Sequence, residues 1–370
     1  MKGIKDIRII LINENESKEE FIKKFLLLRD FKILYYTDEN GLKNSIDIVK
    51  REGYRSKEVL ILKNFQGRFL QPCPCSSGVI CCNYWVINTC FNCLFNCTYC
   101  FLNSYLNSFG IVQFTNIDKF YKEIDTFLEN ADTEQIYRIG TGEFTDSLMM
   151  DEVTAIGEHL ITKTKSKKNV LIELKSKSKN VDHLLDVKEK GNTVLSWSLN
   201  TERNISRYEE DTASLTERIQ AAKKAELAGY FLAFHVDPII IYEGWEKDYK
   251  NLIDFLFHTI NPERIVWISM GCFRYSPGFK ERLRDSFPDE EMTVEEMFPG
   301  IDGKFRYLKN KRLMVYKTIK KYINYYTYKP FIYLCMETSD IWYTIFKTNY
   351  TSSNMLGQDF SNHLKNNFLQ

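Results

Sequence analysis

Apolar residues first recur at strand spacing. The run over 7–12 reads as a buried strand, and Ser17 with Glu20 makes a capping-box pattern opening a helix with Phe21, Phe25 and Leu28 on one face. Strand-like runs at 32–36 and 59–62 flank a helical pattern at 40–51. These elements predict a small N-terminal α/β domain over residues 1–72, where Pro72 and Pro74 break the chain. From residue 84 the period alternates. Strand-like runs near 84–89, 135–140, 169–175, 193–199, 230–236 and 264–270 alternate with helical runs near 117–129, 148–162, 179–189, 213–228 and 246–258. Gly229 reads as a helix C-cap. Alternation of this kind predicts parallel β/α units, and six units are fewer than a closed barrel needs. The expectation is an α/β fold with an open, partial barrel over 73–280 and a C-terminal extension over 281–370, helical at 308–324.

Composition narrows the class. With 44% hydrophobic and 27% charged residues, the chain has the profile of a soluble globular protein. No run of about 18 apolar residues occurs, so no membrane span is expected. Met1-Lys2-Gly3-Ile4-Lys5-Asp6 lacks the apolar core of a signal peptide, so a cytoplasmic location is expected. The net charge of +1 creates no long-range field for nucleic acid or an anionic membrane; a nucleic-acid substrate would need local contacts. Of ten cysteines, eight fall between Cys73 and Cys100. Crowding of thiols in a reducing compartment points to metal rather than disulfides.

Cys93-Leu94-Phe95-Asn96-Cys97-Thr98-Tyr99-Cys100 spaces its thiols C-x3-C-x2-C. Soft thiolates suit an iron–sulfur cluster, and three of them leave one iron of a [4Fe–4S] cluster open to a small molecule. The alternative is structural zinc, for which Cys90 offers a fourth ligand. The upstream group of Cys73, Cys75, Cys81, Cys82 and Cys90 reads either as a second metal site or as small buried hydrophobes.

With Tyr99 before the last cysteine and β/α units following, the motif resembles the radical S-adenosylmethionine (SAM) superfamily. The stretch from Tyr99 to Glu246 resembles the spore photoproduct lyase family of DNA-repair enzymes. It does so at Gly140-Thr141-Gly142-Glu143 with Thr145-Asp146-Ser147, at Lys177 with Val181-Asp182-His183-Leu184-Leu185-Asp186, at Ser198-Leu199-Asn200, and at Pro238 with Glu243-Gly244-Trp245-Glu246; Phe273-Arg274 also fits. The resemblance implies a partial (β/α)6 barrel with a [4Fe–4S] cluster on Cys93, Cys97 and Cys100. It implies that SAM on the open iron is reductively cleaved to a 5′-deoxyadenosyl radical that abstracts hydrogen, with flavodoxin or ferredoxin as electron donor. It assigns Gly142 and Glu143 to the SAM amino group, Lys177 to its carboxylate, Ser198 and Asn200 to the ribose and methionine part, and Tyr99 to adenine or the cluster loop. Plainer alternatives stand beside these assignments. Gly142 and Glu143 fit a turn before a helix, and Lys177 fits a solvated loop in which Lys175 or Lys179 substitutes. Ser198 and Asn200 fit strand-end satisfaction, and Tyr99 fits aromatic packing.

Two departures matter. The family carries a hydrogen-donor cysteine at the end of the second strand, but residues 138–146 contain none; its relay tyrosine after the last cluster cysteine is Phe101 here. Cys272 is a candidate substitute donor, or a buried structural cysteine. His235 and Asp237 are expected to face the barrel mouth, each with a structural partner as the alternative. Lys304 to Lys321 holds eight Lys or Arg with Phe305, Tyr307 and Tyr316 between them, which suits either a phosphate-bearing substrate or a solvated helix face. The resulting expectation is an enzyme that cleaves SAM but repairs spore photoproduct poorly, its own substrate unnamed. The alternatives are a genuine pyrimidine-dimer lyase and a non-catalytic iron–sulfur or zinc regulatory protein. Glu143, Lys177, Ser198 and Asn200 speak against the last, since a metal module needs no SAM pocket.

Overall fold

The computed structural model describes residues 1–105, 109–287 and 291–369. β1 (Ile9–Asn13), α1 (Glu20–Leu26), β2 (Lys32–Tyr36), α2 (Glu39–Arg51) and β3 (Val59–Lys63) open the chain, with β1 between β2 and β3 in parallel. β1 is apolar on both faces because both are covered: Ile10 and Ile12 pack with Phe21 and Phe25 of α1, Ile9 and Leu11 with Leu42 and Val49 of α2. The Ser17 capping box does not form. A short 3-10 turn over Glu14–Glu16 takes Ser17 instead, whose Oγ donates to the Glu14 carbonyl at 2.7 Å, and Leu28 lies exposed beyond α1.

β4 (Leu70–Pro72) and β5 (Trp85–Ile87) leave for a second sheet. β6 (Cys90–Phe91), β7 (Asn96–Cys97), α3 (Leu102–Tyr105) and β8 (Ile111–Phe114) follow, and β8 and β6 extend the first sheet to the order β2-β1-β3-β8-β6. The N-terminal segment therefore shares its sheet with β6 and β8, which flank the cysteine motif.

After α4 (Ile117–Asn130) come β9 (Tyr137–Gly140), α5 (Asp151–Thr154), α6 (Ile156–Thr164), β10 (Val170–Ser176), α7 (Asp182–Leu185) and β11 (Thr193–Ser198). The helix expected over 148–162 is broken at Ala155, whose φ of 55° is left-handed. The Asp151 backbone carbonyl accepts the Ala155 N–H at 2.8 Å, which closes the first helix, and its carboxylate accepts the Gly157 N–H at 2.8 Å at the start of the next. The helix expected over 179–189 is a single turn. α8 (Glu202–Tyr208), capped by Thr201, has no counterpart in the expected elements. β12 (Glu209–Glu210), α9 (Leu215–Leu227), β13 (Phe231–Ile239), α10 (Trp245–Thr259) and β14 (Ile265–Cys272) complete the six units, and Gly229 follows α9 at φ +95°, a conformation cheap only for glycine. The extension holds β15 (Arg274–Tyr275), α11 (Phe279–Ser286), β16 (Met297–Pro299), β17 (Phe305–Tyr307), α12 (Lys309–Tyr326), β18 (Phe331–Leu334), α13 (Ser339–Phe346) and α14 (Ser353–Asn367).

The second sheet runs β18-β14-β13-β11-β10-β9-β5-β4. All six expected strands are present, adjacent and parallel; β18 lengthens the parallel run at one edge and antiparallel β4 ends the other. The sheet curls into a half barrel. Arg138 on β9 and Trp267 on β14 are separated by three intervening strands, yet the guanidinium lies 6.0 Å from the indole ring. By alternation, Arg138 and Gly140, Glu173 and Lys175, Ser196 and Ser198, Ala233 and His235, Trp267 and Ser269, and Phe331 and Tyr333 line the lumen. α14 plugs its floor. The Phe360 ring stacks 4.2 Å from Phe331, meets Trp267 at 5.6 Å and carries the Arg138 guanidinium at 3.7 Å. Among the described residues no helix is long and apolar enough to cross a membrane.

Phe360 is fully buried at the centre of this plug. Phe360→Ala is expected to lower the free energy of unfolding by about 3–5 kcal/mol in urea titrations, the cost of an aromatic-sized cavity. A loss below about 1 kcal/mol would mean the floor is held by other contacts.

Candidate functional site

The cysteine loop is fixed at its start and in its middle. Before it, Asn92 adopts φ +72°; its amide nitrogen donates to the Gly110 carbonyl at 2.9 Å, and its oxygen accepts from Cys93 N–H at 2.9 Å and Lys57 Nζ at 2.5 Å. Within the loop, β7 pairs antiparallel with β12, setting Cys97 opposite Glu209. The Glu209 side chain is fully buried and gathers three partners: Arg218 Nη2 at 2.6 Å, Lys177 Nζ at 3.2 Å and the Tyr99 hydroxyl, which donates to it. Lys177 also donates to Tyr99 Oη at 2.9 Å. Arg218 spends its other donors on the Ala213 and Ser198 carbonyls, both at 2.9 Å, and on Thr212 Oγ1 at 2.7 Å. Burial pushes the Glu209 carboxyl up, but Arg218 and then Lys177 outweigh it, and the group settles at about 2.

Cys93, Cys97 and Cys100 lie close enough to interact electrostatically, and burial pushes all three thiols up, Cys93 to about 12. Buried thiols of this kind give up their protons to a metal rather than to water. Among the described residues no three His, Cys, Asp or Glu side chains close to the spacing of a single metal ion. Three soft thiol donors on one loop have the chemistry of iron–sulfur ligands.

The loop after β9 is stapled to the end of β10. Asp146, buried, accepts from Ser176 Oγ at 2.7 Å, Lys177 N–H at 2.7 Å and Leu148 N–H at 3.0 Å; Ser147 Oγ accepts from Lys175 N–H at 3.0 Å and from Thr141 Oγ1 at 2.7 Å. Gly142 suits this packing, since a Cβ there would lie 3.1 Å from the Lys175 carbonyl, a tight contact. Glu143 is half-buried. Its Oε2 is shut from solvent with no hydrogen-bond partner, and burial, opposed by Lys175, raises its carboxyl. An orphaned carboxylate oxygen is a place for a ligand's donor. Lys177 is turned to the cluster loop, Lys175 is the lysine near Glu143, and Lys179 pairs with Glu217 at 2.5 Å. Ser198 ends β11 on the lumen face. Asn200 is 1% exposed and spends its amide inside the fold: its oxygen accepts from Tyr249 Oη and Asn204 Nδ2, both at 2.9 Å, and its nitrogen donates to the Pro238 carbonyl at 3.1 Å.

The lumen itself is polar one layer above its floor. His235 bridges Ser269 Oγ and Glu173 Oε1, both at 2.6 Å, and Tyr84 donates to the other Glu173 oxygen. Burial opposes ionisation of Glu173, but His235 and Lys175 bring its carboxyl down to about 2. At the mouth Arg274 forks onto Asp237, each nitrogen 3.2 Å from its own oxygen, and its Nη2 lies 3.6 Å from Cys335 Sγ. Cys335 follows β18 and is held by its N–H on the Met270 carbonyl at 2.9 Å; Cys73 and Cys82 lie within electrostatic reach of it and of each other.

The upstream cysteines do not form one group. Cys75 and Cys81 are joined in a disulfide, against the expectation of metal rather than disulfides, because the turn through Gly78 (φ +79°) brings their Cα atoms to 6.1 Å. Cys90 is buried on β6, and Cys73 and Cys82 turn toward Cys335. Cys272 faces away from the lumen. It alternates with Ser269 and Gly271, is 3% exposed, and meets Tyr316 of α12, whose hydroxyl accepts the Cys272 N–H at 3.0 Å. As a hydrogen donor to anything in the lumen it is therefore badly placed. Cys335, Glu209, Arg218 and Tyr84 carry no sequence signal of their own: one is a single thiol, two sit in charge-rich stretches, and one stands beside a tryptophan before the first barrel strand.

Comparison with known proteins agrees with this architecture. The family model described as spore photoproduct lyase matches residues 81–334. The spore photoproduct lyase of Bacillus subtilis (strain 168) is 26% identical over 243 residues, covering 63% of this chain and 70% of the relative. That of Geobacillus sp. (strain Y412MC61) is 26% identical over 241 residues, 62% of this chain and 70% of the relative. A solved mutant spore photoproduct lyase with bound AdoMet and dinucleoside spore photoproduct shares the fold, with a TM-score of 0.75, 21% identity, and coverage of 88% of this chain and 98% of that one.

The buried Glu209 generates a stability prediction. Glu209→Gln leaves Arg218 and Lys177 without their counter-ion, and is expected to cost about 3–5 kcal/mol. The folded carboxyl is depressed, so the contribution is complete above the unfolded value of about 4.3 and is lost as pH falls through it toward about 2. Urea midpoints of wild type and variant should differ most above pH 5 and converge at lower pH. A gap that stays constant with pH would show that the carboxylate charge is not what holds the loop.

Proposed function

The chain belongs to the spore photoproduct lyase family of radical SAM enzymes, and we propose that it repairs spore photoproduct in DNA, taking the closing hydrogen atom from a thiol at the barrel mouth. The observation that carries this reading is the convergence of Cys335, Cys73 and Cys82 beside the Arg274–Asp237 pair. The expectation of poor repair rested on the missing thiol at 138–146, and the mouth offers one from the opposite wall. Burial pushes the Cys335 thiol up to about 11, so at neutral pH it keeps the hydrogen it would give. In that step its S–H bond breaks homolytically and a C–H bond forms on the product.

A cluster and SAM, when bound and given an electron by a flavodoxin- or ferredoxin-type donor, would supply the 5′-deoxyadenosyl radical. The chain's own residues have distinct tasks in this reading. Cys93, Cys97 and Cys100 hold the cluster, and Glu143 receives the SAM ammonium on its orphaned oxygen. Ser198 offers its hydroxyl to the ribose. Lys177 and Tyr99 are set by Glu209, while Asn200 shapes the strand end from behind. Gly142 lets the loop sit tight on β10. The α14 plug and the polar layer close the lumen from below, which keeps water from a radical. A second reading, chemistry on a different substrate, is favoured by Phe101, which has no phenol hydrogen.

Glu143→Gln should weaken SAM binding by about 1–3 kcal/mol through loss of a charge-assisted bond. Calorimetry on anaerobically reconstituted protein measures it, and an unchanged affinity would move the pocket elsewhere. The substrate is tested with a lesion-bearing oligonucleotide, dithionite and SAM. Wild type should restore thymine, and Cys335→Ala should lower thymine restored per SAM cleaved by roughly tenfold or more, the loss of a positioned donor. SAM cleavage without restored thymine in wild type favours the second reading. Full repair by Cys335→Ala and Cys73→Ala alike would remove the mouth thiols from the reaction.

A further inference from the structure

The basic stretch from Lys304 to Lys321 divides on inspection of its partners. Arg306 is bound to Asp302 at 2.5 Å, Arg312 to Glu337 at 3.1 Å, and Lys309 and Lys311 are paired with Asp340 and Glu295. Lys320 donates to the Ile345 carbonyl at 2.9 Å, and Lys317 and Lys321 stand in solvent. Lys304 is different. It is half-buried, and its Nζ has only a hydroxyl, Ser76 Oγ at 3.2 Å, and a thioether, Met336 Sδ at 3.7 Å. No carboxylate among the described residues lies within ion-pair distance of it. The nearest acid in sequence, Asp302, is taken by Arg306 and gives Lys304 only a long contact to its backbone N–H at 3.4 Å.

Its position is at the mouth. Lys304 precedes β17, whose Arg306 stands opposite Arg274 in the three-stranded sheet beside the barrel. Met336, which its Nζ touches, follows Cys335, whose Sγ lies against Arg274. Ser76, its other contact, belongs to the strap between β4 and β5. A half-buried ammonium with a second cation beside it and no acid of its own is costly to the fold alone. Burial, and then the charge of Arg274, push Lys304 down, with Asp302 opposing them in part.

We propose that Lys304, with Arg274 behind it, is the binding site for a backbone phosphodiester of a single-stranded or extruded DNA segment at the barrel mouth. This rests on the reading of the chain as a DNA-repair enzyme and deepens it by naming the local contact that a protein of net charge +1 needs. The ammonium supplies a point charge and up to three donors, suited to a phosphate oxygen. It fixes the strand relative to the mouth and reads no base.

The test uses the reconstituted holoenzyme and a fluorescein-labelled short thymidine strand, with anisotropy read against salt. A matched series replaces each phosphodiester in turn by an uncharged methylphosphonate. Lys304→Met should weaken binding roughly tenfold at low salt and reduce the slope of log K against log salt by about 0.7, one phosphate's share in a single strand. One methylphosphonate position should weaken wild type to the same degree and leave Lys304→Met unaffected. Lys304→Arg should retain binding, and Lys317→Met, an exposed lysine of the same stretch, should behave as wild type. Equal loss for every methylphosphonate in both proteins, an unchanged salt slope in Lys304→Met, or no strand binding by wild type would overturn the proposal. So would a Lys304 dependence confined to inorganic phosphate, which would mark a site for a free anion. Strand binding without SAM cleavage or thymine restoration would leave the proposal standing and sink the repair reading instead.

Discussion

The buried carboxylate of Glu209 is the constraint from which the site is built. It sits on a two-residue strand, yet it ties together four parts of the chain. Its backbone pairs with Cys97, its carboxylate takes Tyr99, it neutralises Lys177 at the end of β10, and through Arg218 it reaches the Ser198 carbonyl at the end of β11. Two cations and one anion in a largely buried place are tolerable only if their donors find acceptors. Arg218 meets that condition by spending Nε, Nη1 and Nη2 on separate oxygens. The cysteine loop, with little regular structure of its own, therefore inherits the rigidity of two barrel strands. A cluster held there, as proposed, would profit from that rigidity, because preorganised ligands bind more precisely.

A second constraint is the inside of the half barrel. Arg138 is laid over Phe360, the Glu173–His235–Ser269 bridge lies above it, and the charged mouth lies above that. Each layer depends on the one below. Buried polar groups are tolerable when paired, and here the pairing crosses strands that are not neighbours, Glu173 on β10 to His235 on β13, so the hydrogen bonds also hold the curl.

The sheet itself was legible in sequence because buried parallel strands write themselves as short apolar runs between amphipathic helices. All six appear where the alternation puts them. The edges were not. β18 comes from an extension whose pattern looked irregular, and only its pairing with β14 makes it barrel. Local signals failed where tertiary bonds intervened, as at Ser17, taken by a 3-10 turn, and at Ala155, where Asp151 caps a second helix. In the candidate site, Cys93, Cys97 and Cys100 stood out because their spacing itself suggests a chemistry. Glu209 and Arg218 did not, since a charge in an exposed-looking run gives no hint that it will be buried opposite another. Lys177 was identified correctly as an end-of-strand lysine, but which way it turns is decided by Glu209.

The thiol question shows the same limit most sharply. A sequence assigns a donor by its place along a strand, whereas a radical is quenched by whatever weak S–H bond lies within reach of it. In this chain the last lumen-facing position of β9, Gly140, has no room for one. Gly140 leaves a gap that Tyr84 fills so closely that a Cβ at 140 would lie 1.8 Å from the tyrosine hydroxyl. Tyr84 cannot simply swing away, since its hydroxyl is spent on Glu173, which in turn is needed by His235. A cysteine at 140 would therefore disrupt the polar layer that holds the curl. The wall opposite has no such conflict. Cys335 stands one residue beyond β18, above Tyr333 and beside Arg274, and the strap delivers Cys73 and Cys82 to the same place. Tyr84 thus bars a thiol at position 140, and a donor at the mouth, as proposed, would meet no such obstacle.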